Sequence, residues 1–213
     1  MTSNANSVNI QHDDERYASS SSTTANSYHH GDLRSALLTA GMAALDAAPI
    51  EALSLRALAR EAGVSATAVY RHFPDKDALL GALALVALDR LGERQRSAAE
   101  CAKDAGAKAA FGATGAAYVR FAIAHPAMFR LLWRRPVGDL LSVPAVQMHP
   151  AMQALRDGIA ALLPPDASEE DRRAAALHSW GLVHGLAMLA LDGQVSLDDA
   201  TIDRVIAGTT LDR

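Results

Sequence analysis

Residues 53–80 read LSLRALAREAGVSATAVYRHFPDKDALL, and they contain the same local grammar twice. Ser54 stands where an N-cap is favoured, since its side-chain oxygen is able to accept a bond from an unsatisfied first-turn N–H. Leu55, Leu58, Ala59 and Ala62 then recur at helical spacing, and Leu53 before the cap pairs with Leu58 as a hydrophobic staple. Gly63 supplies the positive φ with which many helices end. Ser65 is a second N-cap, Val64 and Val69 a second staple, and Phe73 follows one turn after Val69. Two short helices joined by a glycine turn of three to four residues make a helix-turn-helix. Pro74 and a capping Asp75 then open a longer helix, from Lys76 to about residue 99.

Upstream, Asp32 is placed to cap a helix with Leu33, Leu37, Ala40, Gly41 and Ala44 on one face, stopping before Pro49. Downstream, helices are predicted near 104–124, 126–134, 145–162, 168–191 and 198–208. Gly106, Gly112 and Gly115 weaken the first, while Pro126, the stretch Pro136 to Pro144, and Pro164-Pro165 supply the breaks. Ser168 followed by Glu169, Glu170 and Asp171 is a strong helix start. With 50% hydrophobic and only 5% aromatic residues, the chain reads as an all-α protein. Its expected parts are a disordered Ser/Thr/Asn-rich tail (1–27), a three-helix DNA-binding domain (28–75) and a larger helical domain (76–213).

The second short helix is the one to enter a major groove, where the first residues of a recognition helix meet base edges. Those residues are Ser65, Ala66 and Thr67, with Tyr70 a turn later. They are small and polar at the start, so backbone and groove floor approach closely, and the Ala and Thr methyls suit thymine. Tyr70 and Phe73 are three apart, and the expectation is Phe73 inward and Tyr70 outward. Lys76 begins a helix where the macrodipole disfavours a cation, so either a DNA phosphate or the flanking Asp75 and Asp77 must compensate it. Arg34, Arg56, Arg71 and His72 are further phosphate candidates, although Arg60 and Arg71 serve equally as solvated surface. The net charge of -4 and pI near 6.0 argue mildly against nucleic acid. From Tyr28 to Leu80, five cations (Arg34, Arg56, Arg60, Arg71, Lys76) face six acids (Asp32, Asp46, Glu51, Glu61, Asp75, Asp77), so charge has to be sorted by face. Asp13, Asp14 and Glu15 make the tail a poor phosphate-binding arm, whereas Tyr28, His29 and His30 are better placed.

The segment AREAGVSATAVYRHFPDKDALL, with its Gly-Val-Ser followed by Tyr-Arg-His-Phe, closely resembles the N-terminal part of TetR-family (tetracycline-repressor-like) regulators. The resemblance implies a three-helix DNA-binding domain ahead of a larger helical domain that dimerises and holds a ligand pocket. By position it assigns DNA contacts to Ser54, Arg56, Ser65, Thr67, Tyr70, His72 and Lys76. The run Ser179 to Leu189, with Met128 to Trp133 before it, is similar to the C-terminal domain of a TetR subgroup marked by Trp then His-Gly.

In that larger domain Leu177, Gly181, His184, Met188 and Leu191 share one helical face. Gly181 and Gly185, four apart, allow a helix to come close, either from a second copy (an interface at Gly181, Gly185 and Met188) or from the same subunit. A homodimer is expected, because one short reading helix buries too little for specific affinity and two suit a palindromic operator. Phe121, His125, Phe129, Trp133, Met148, Met152, Trp180 and His184 are candidates to line an apolar effector cavity, each being equally a core residue. The expected partners are a double-stranded DNA operator, a small-molecule effector of unknown identity and a second copy, making the chain a ligand-responsive repressor.

An enzyme is not expected: no nucleophile elbow, phosphate loop, paired catalytic carboxylates or metal-spaced His/Cys set appears, and neither metal nor cofactor is implied. Cys101 is the one cysteine. The longest apolar run, Ala78 to Leu88, is short of the roughly 20 residues of a membrane span, and no signal pattern is present, so a soluble cytoplasmic protein is expected. The alternative is a helical small-molecule-binding protein without DNA-binding activity.

Overall fold

The computed structural model describes residues 32–134, 141 and 148–209. The expected tail, Tyr28, His29, His30, Pro136 and Pro144 lie outside them. Among the described residues the chain forms nine α-helices and no strand: α1 (Asp32–Ala47), α2 (Leu55–Glu61), α3 (Ala66–His72), α4 (Lys76–Ala102), α5 (Ala107–Ala124), α6 (Pro126–Leu132), α7 (Pro150–Leu162), α8 (Glu169–Leu191) and α9 (Asp199–Thr209).

The helix ends follow local chemistry closely. Gly63 takes φ 66° in the turn between α2 and α3. Ser65, Asp75 and Ser168 cap α3, α4 and α8, accepting from the N–H groups of Ala68, Ala78 and Asp171. Five details depart from the sequence reading. Asp32 belongs to the first turn of α1 instead of preceding it. Ser54 occupies the N-cap of α2, but its side chain makes no capping bond. A 3-10 turn at Ile50–Ala52 tucks Ile50 into the core. Gly106, at φ 98°, splits the predicted 104–124 helix into a short 3-10 turn and α5. Helix α7 starts at Pro150, not at 145: His149 Nδ1 accepts from the Ala151 N–H, and Pro150 occupies a position where its missing N–H costs nothing.

One hydrophobic core runs the length of α4. Leu37, Met42, Leu58, Val69 and Phe73 from the first three helices pack against Leu79, Leu80 and Leu83, and the same cluster continues through Ala87 and Leu91 to Tyr118, Phe121 and Phe129. The head and the larger domain therefore share one apolar spine. Smaller clusters join α5 to α9 (Val119, Ile202, Ile206) and α7 to α8 (Ile159, Ala175, Ala176). Gly115 marks the tight crossing of α5 and α8, since a Cβ there would lie 3.2 Å from Val183 Cγ1.

Polar contacts also bridge the head to the rest of the chain. Asp46, near the end of α1, accepts from His125 Nδ1 at 2.7 Å, and Arg90 stands 3.9 Å away. Arg94 Nη2 reaches His125 Nε2 at 3.3 Å, so the ring is read as protonated on Nδ1 and accepting on Nε2. Arg134 pairs with Asp77 at 3.0 Å in the first turn of α4.

Candidate DNA-reading helix and ligand cavity

Helix α3 is pinned by Val69, fully buried, and by Phe73, 2% exposed, whereas Tyr70 is 44% exposed. The opposite side of α3 is thereby turned to solvent with Ser65, Ala66, Thr67 and Tyr70 all exposed along it. The Ser65 oxygen is engaged by the Ala68 N–H at 3.2 Å, leaving its hydroxyl proton to donate. Ser54, with no capping bond, is exposed beside Arg56, which is exposed as well.

Of the six acids counted above, Asp46 is bound to His125, Asp75 to the Ala78 N–H and Asp77 to Arg134. Arg56, Arg60 and Arg71 project into solvent. Arg34 lies over the Phe73 ring, 5.3 Å from its centroid, which fixes α1 to the end of α3 through a cation–π contact. Lys76 Nζ donates to the Glu51 carbonyl at 3.0 Å. That bond uses one of three ammonium protons and holds the side chain beside the head, with the others available to an anion. His72 is half-buried.

A second site lies between α4, α5, α7 and α8. It is a largely apolar cavity, part of it open to solvent. Its wall includes Leu88, Leu91 and Gln95 from α4, Phe111, Thr114 and Tyr118 from α5, Met152 and Leu155 from α7, Trp180 and Val183 from α8, and Trp133 after α6. Among the described residues no Asp, Glu, Lys or Arg lines it. Of the predicted cavity residues, Trp133, Met152 and Trp180 are therefore in the wall. Phe129 is fully buried behind it, edge-on to Tyr118 with 5.3 Å between ring centroids. His184 is also in this second layer, and Phe121 and Met148 are core residues. His125 is in the head-to-body contact instead. Sequence reasoning missed Tyr118 and Gln95. A signal for Gln95 was present, because Leu83, Ala87, Leu91 and Gln95 follow at steps of four on the buried stripe of α4.

Tyr118 joins the two layers. Its hydroxyl accepts from Trp180 Nε1 at 3.4 Å and meets His184 Nδ1 at 2.9 Å. Burial pushes the Tyr118 hydroxyl well above its ordinary range and pushes His184 below 6.5, so both are neutral at pH 7. Because the folded state resists protonating His184, the stability this residue contributes is present above pH 6.5 and is lost as pH falls below it, where the unfolded chain takes up the proton first. The melting temperature is accordingly expected to fall more steeply from about pH 7.5 to about pH 5.5 in the parent chain than in His184→Gln. Parallel slopes in a pH series of thermal melts would remove His184 from this role.

Helix α8 has an unusual surface. By length and composition it would suffice to cross a bilayer, yet it packs on α5 and α7. Leu177 is 50% and Leu189 45% exposed, and a Cβ added at Gly181 or Gly185 would meet nothing within 4 Å. Among the described residues, none packs closely against these glycines. Met188 and Leu191, placed by sequence on the same face as Gly181, instead pack against the chain's own core, and the outward stripe continues through Leu189.

The fold defines an all-helical protein in which a helix-turn-helix head is joined by a long helix to a larger domain with an apolar cavity. Residues 37–83 match the family described as bacterial regulatory proteins, tetR family, and residues 111–209 match the tetracyclin repressor-like C-terminal domain. The chain belongs to the TetR family of transcriptional regulators. Among solved structures it is similar to a protein of unknown function from Rhodococcus sp. RHA1, with 32% identity over 86% of this chain and 96% of that one and a TM-score of 0.66. A tetR-family transcriptional regulator from Streptomyces coelicolor shares the fold at 20% identity, covering 83% of this chain and 78% of that one, with a TM-score of 0.59. RolR, described in complex with the ligand resorcinol, does so at 16% identity over 86% and 97%, with a TM-score of 0.53. No curated protein matches the chain closely.

Proposed function

We propose that this regulator works as a homodimeric, ligand-responsive repressor that reads a palindromic operator with two copies of α3. The observation that carries the reading is the outward side of α3, anchored from beneath by Val69 and Phe73 and covered by nothing else described. Ser65, Ala66, Thr67 and Tyr70 meet base edges, and Arg34, Ser54, Arg56, His72 and Lys76 hold the backbone. The head ends and the effector domain begins where α4 starts, at Lys76. The dimer forms on the stripe Leu177, Gly181, Gly185 and Leu189 of α8, assisted by α9. This apolar stripe makes a partner helix the natural cover for α8, and a regulator that reads DNA acts in the cytoplasm.

The effector occupies the cavity, and the similar chain described with resorcinol makes a small ring compound the first class to try. Its coupling to DNA runs along α4, which holds Lys76 at one end and Leu88, Leu91 and Gln95 in the cavity wall.

Selection of bound fragments from a random DNA pool by the purified full-length protein tests the reading. A palindromic site with half-sites about one DNA turn apart is the expected result. Unselective binding that does not weaken with salt would make the chain a helical small-molecule-binding protein without DNA-reading activity. On the selected site, Lys76→Ala should lower the slope of log affinity against log salt by about one and weaken all sequences alike. An unchanged slope would mean that the Glu51 bond is the whole role of Lys76.

A further inference from the structure

The cavity wall contains two polar atoms whose hydrogen-bonding capacity is unused. Gln95 is 7% exposed, yet its Oε1 has no hydrogen-bond partner. The Trp133 indole Nε1 is likewise buried and unbonded; its edge faces the Tyr118 hydroxyl too loosely to bond it. Tyr118 bonds His184 and Trp180, and Thr114 donates to the Ala110 carbonyl, while His178 and Ser179 add two further polar side chains on the α8 side of the wall. A buried acceptor without a donor is costly, and native proteins rarely keep one unless something else satisfies it.

We propose that the cavity takes an uncharged, mostly apolar ring compound bearing a hydroxyl, whose O–H donates to Gln95 Oε1. The proposal rests on the cavity being the effector site. A hydroxyl suits the wall because it both donates and accepts, so the same ligand oxygen, or a second one, is able to take the Trp133 N–H. Charge is selected against. Among the described residues no Asp, Glu, Lys or Arg lines the wall, its one imidazole, His178, is exposed, and a charged group set among the buried side chains would give up its water without gaining a carboxylate, ammonium or guanidinium partner. A ring without a hydroxyl fills the same space but leaves Gln95 Oε1 as it is, which is the discrimination hydrogen-bonding sites achieve best.

The full-length protein carries two tryptophans, Trp133 and Trp180, and both are in the wall, so their fluorescence reports occupancy directly. Three probes of one shape are titrated: 4-ethylphenol, 4-ethyltoluene and 4-ethylbenzoate. The phenol is expected to bind about tenfold more tightly than either of the others. In Gln95→Met, which keeps the length of the side chain and removes the acceptor, phenol and toluene should bind within about twofold of each other. Gln95→Leu serves as a second variant, and cooperative melting shows that each is folded. Equal binding of phenol and toluene by the parent chain, tightest binding of the benzoate, no binding of any probe, or a phenol preference that survives both variants would overturn the proposal. Operator affinity is measured on the same protein: if it is absent while the phenol preference and its loss in Gln95→Met stand, the regulatory reading fails and the ligand class does not.

Discussion

Phe73→Ala is expected to melt the DNA-binding head, whereas Tyr70→Ala, three residues away on the same short helix, should leave it folded and unable to hold its operator. Phe73 is 2% exposed, closes the end of α3 and carries Arg34 on its ring. Truncating a buried phenylalanine costs about 3–5 kcal/mol, a large share of the roughly 5–15 kcal/mol that a whole domain has. Tyr70 is 44% exposed and, apart from DNA, loses only modest contacts. Thermal melts should show a fall of several degrees or loss of cooperativity for Phe73→Ala and near-parent behaviour for Tyr70→Ala. The same Tyr70→Ala protein should bind the selected operator about tenfold or more weakly. A destabilised Tyr70→Ala, or one that binds DNA normally, would move the reading surface elsewhere.

Placing aspartates at both Leu177 and Leu189 should separate the proposed dimer. The two leucines are half exposed in the single chain and would face a partner across the open glycines Gly181 and Gly185. Each aspartate would bring an unpaired charge into an apolar interface, and burial of such a charge is far more costly than loss of the leucine contact. The expected product is a folded monomer in sedimentation, with operator affinity lowered by about a hundredfold or more, because two linked heads bind far more tightly than one. A variant that stays dimeric would place the interface away from α8.

The head was readable in the sequence because its rules are local. Doubled caps, staples and Gly63 concern residues within four or five positions of each other, and they gave the two short helices and the outward Tyr70. Even there, what a side chain bonds to was less visible than where it stands: Ser54 is at the cap position without a capping bond, and Lys76 is tied to the carbonyl of Glu51, 25 residues away. The cavity depends on how four helices lie against one another, which spacing along one helix does not fix. Aromatic type located Trp133 and Trp180, but it also chose Phe129 and His184, which prop the wall from behind, and Phe121, which fills the core. Gln95 was passed over because one polar residue on a helix looks like surface until the stripe of Leu83, Ala87 and Leu91 is followed one step further. The split of the α8 face, with Met188 inward and Leu189 outward, likewise depends on where α5 and α7 pack.

The unbroken apolar spine along α4 makes this helix a stiff lever. From Gln95 to Lys76 is 95 − 76 = 19 residues, or about 28 Å along the axis at the usual rise. A tilt of roughly 5° about the Gln95 end would swing Lys76, and the head packed around it, by about 2.5 Å. In a symmetric pair the two ends swing in opposite senses, so their separation changes by about 5 Å against a DNA turn of about 34 Å. In the proposed dimer, a ligand the size of one ring that moved the cavity wall by a few tenths of an ångström would thereby be geared up to a misfit on the double helix.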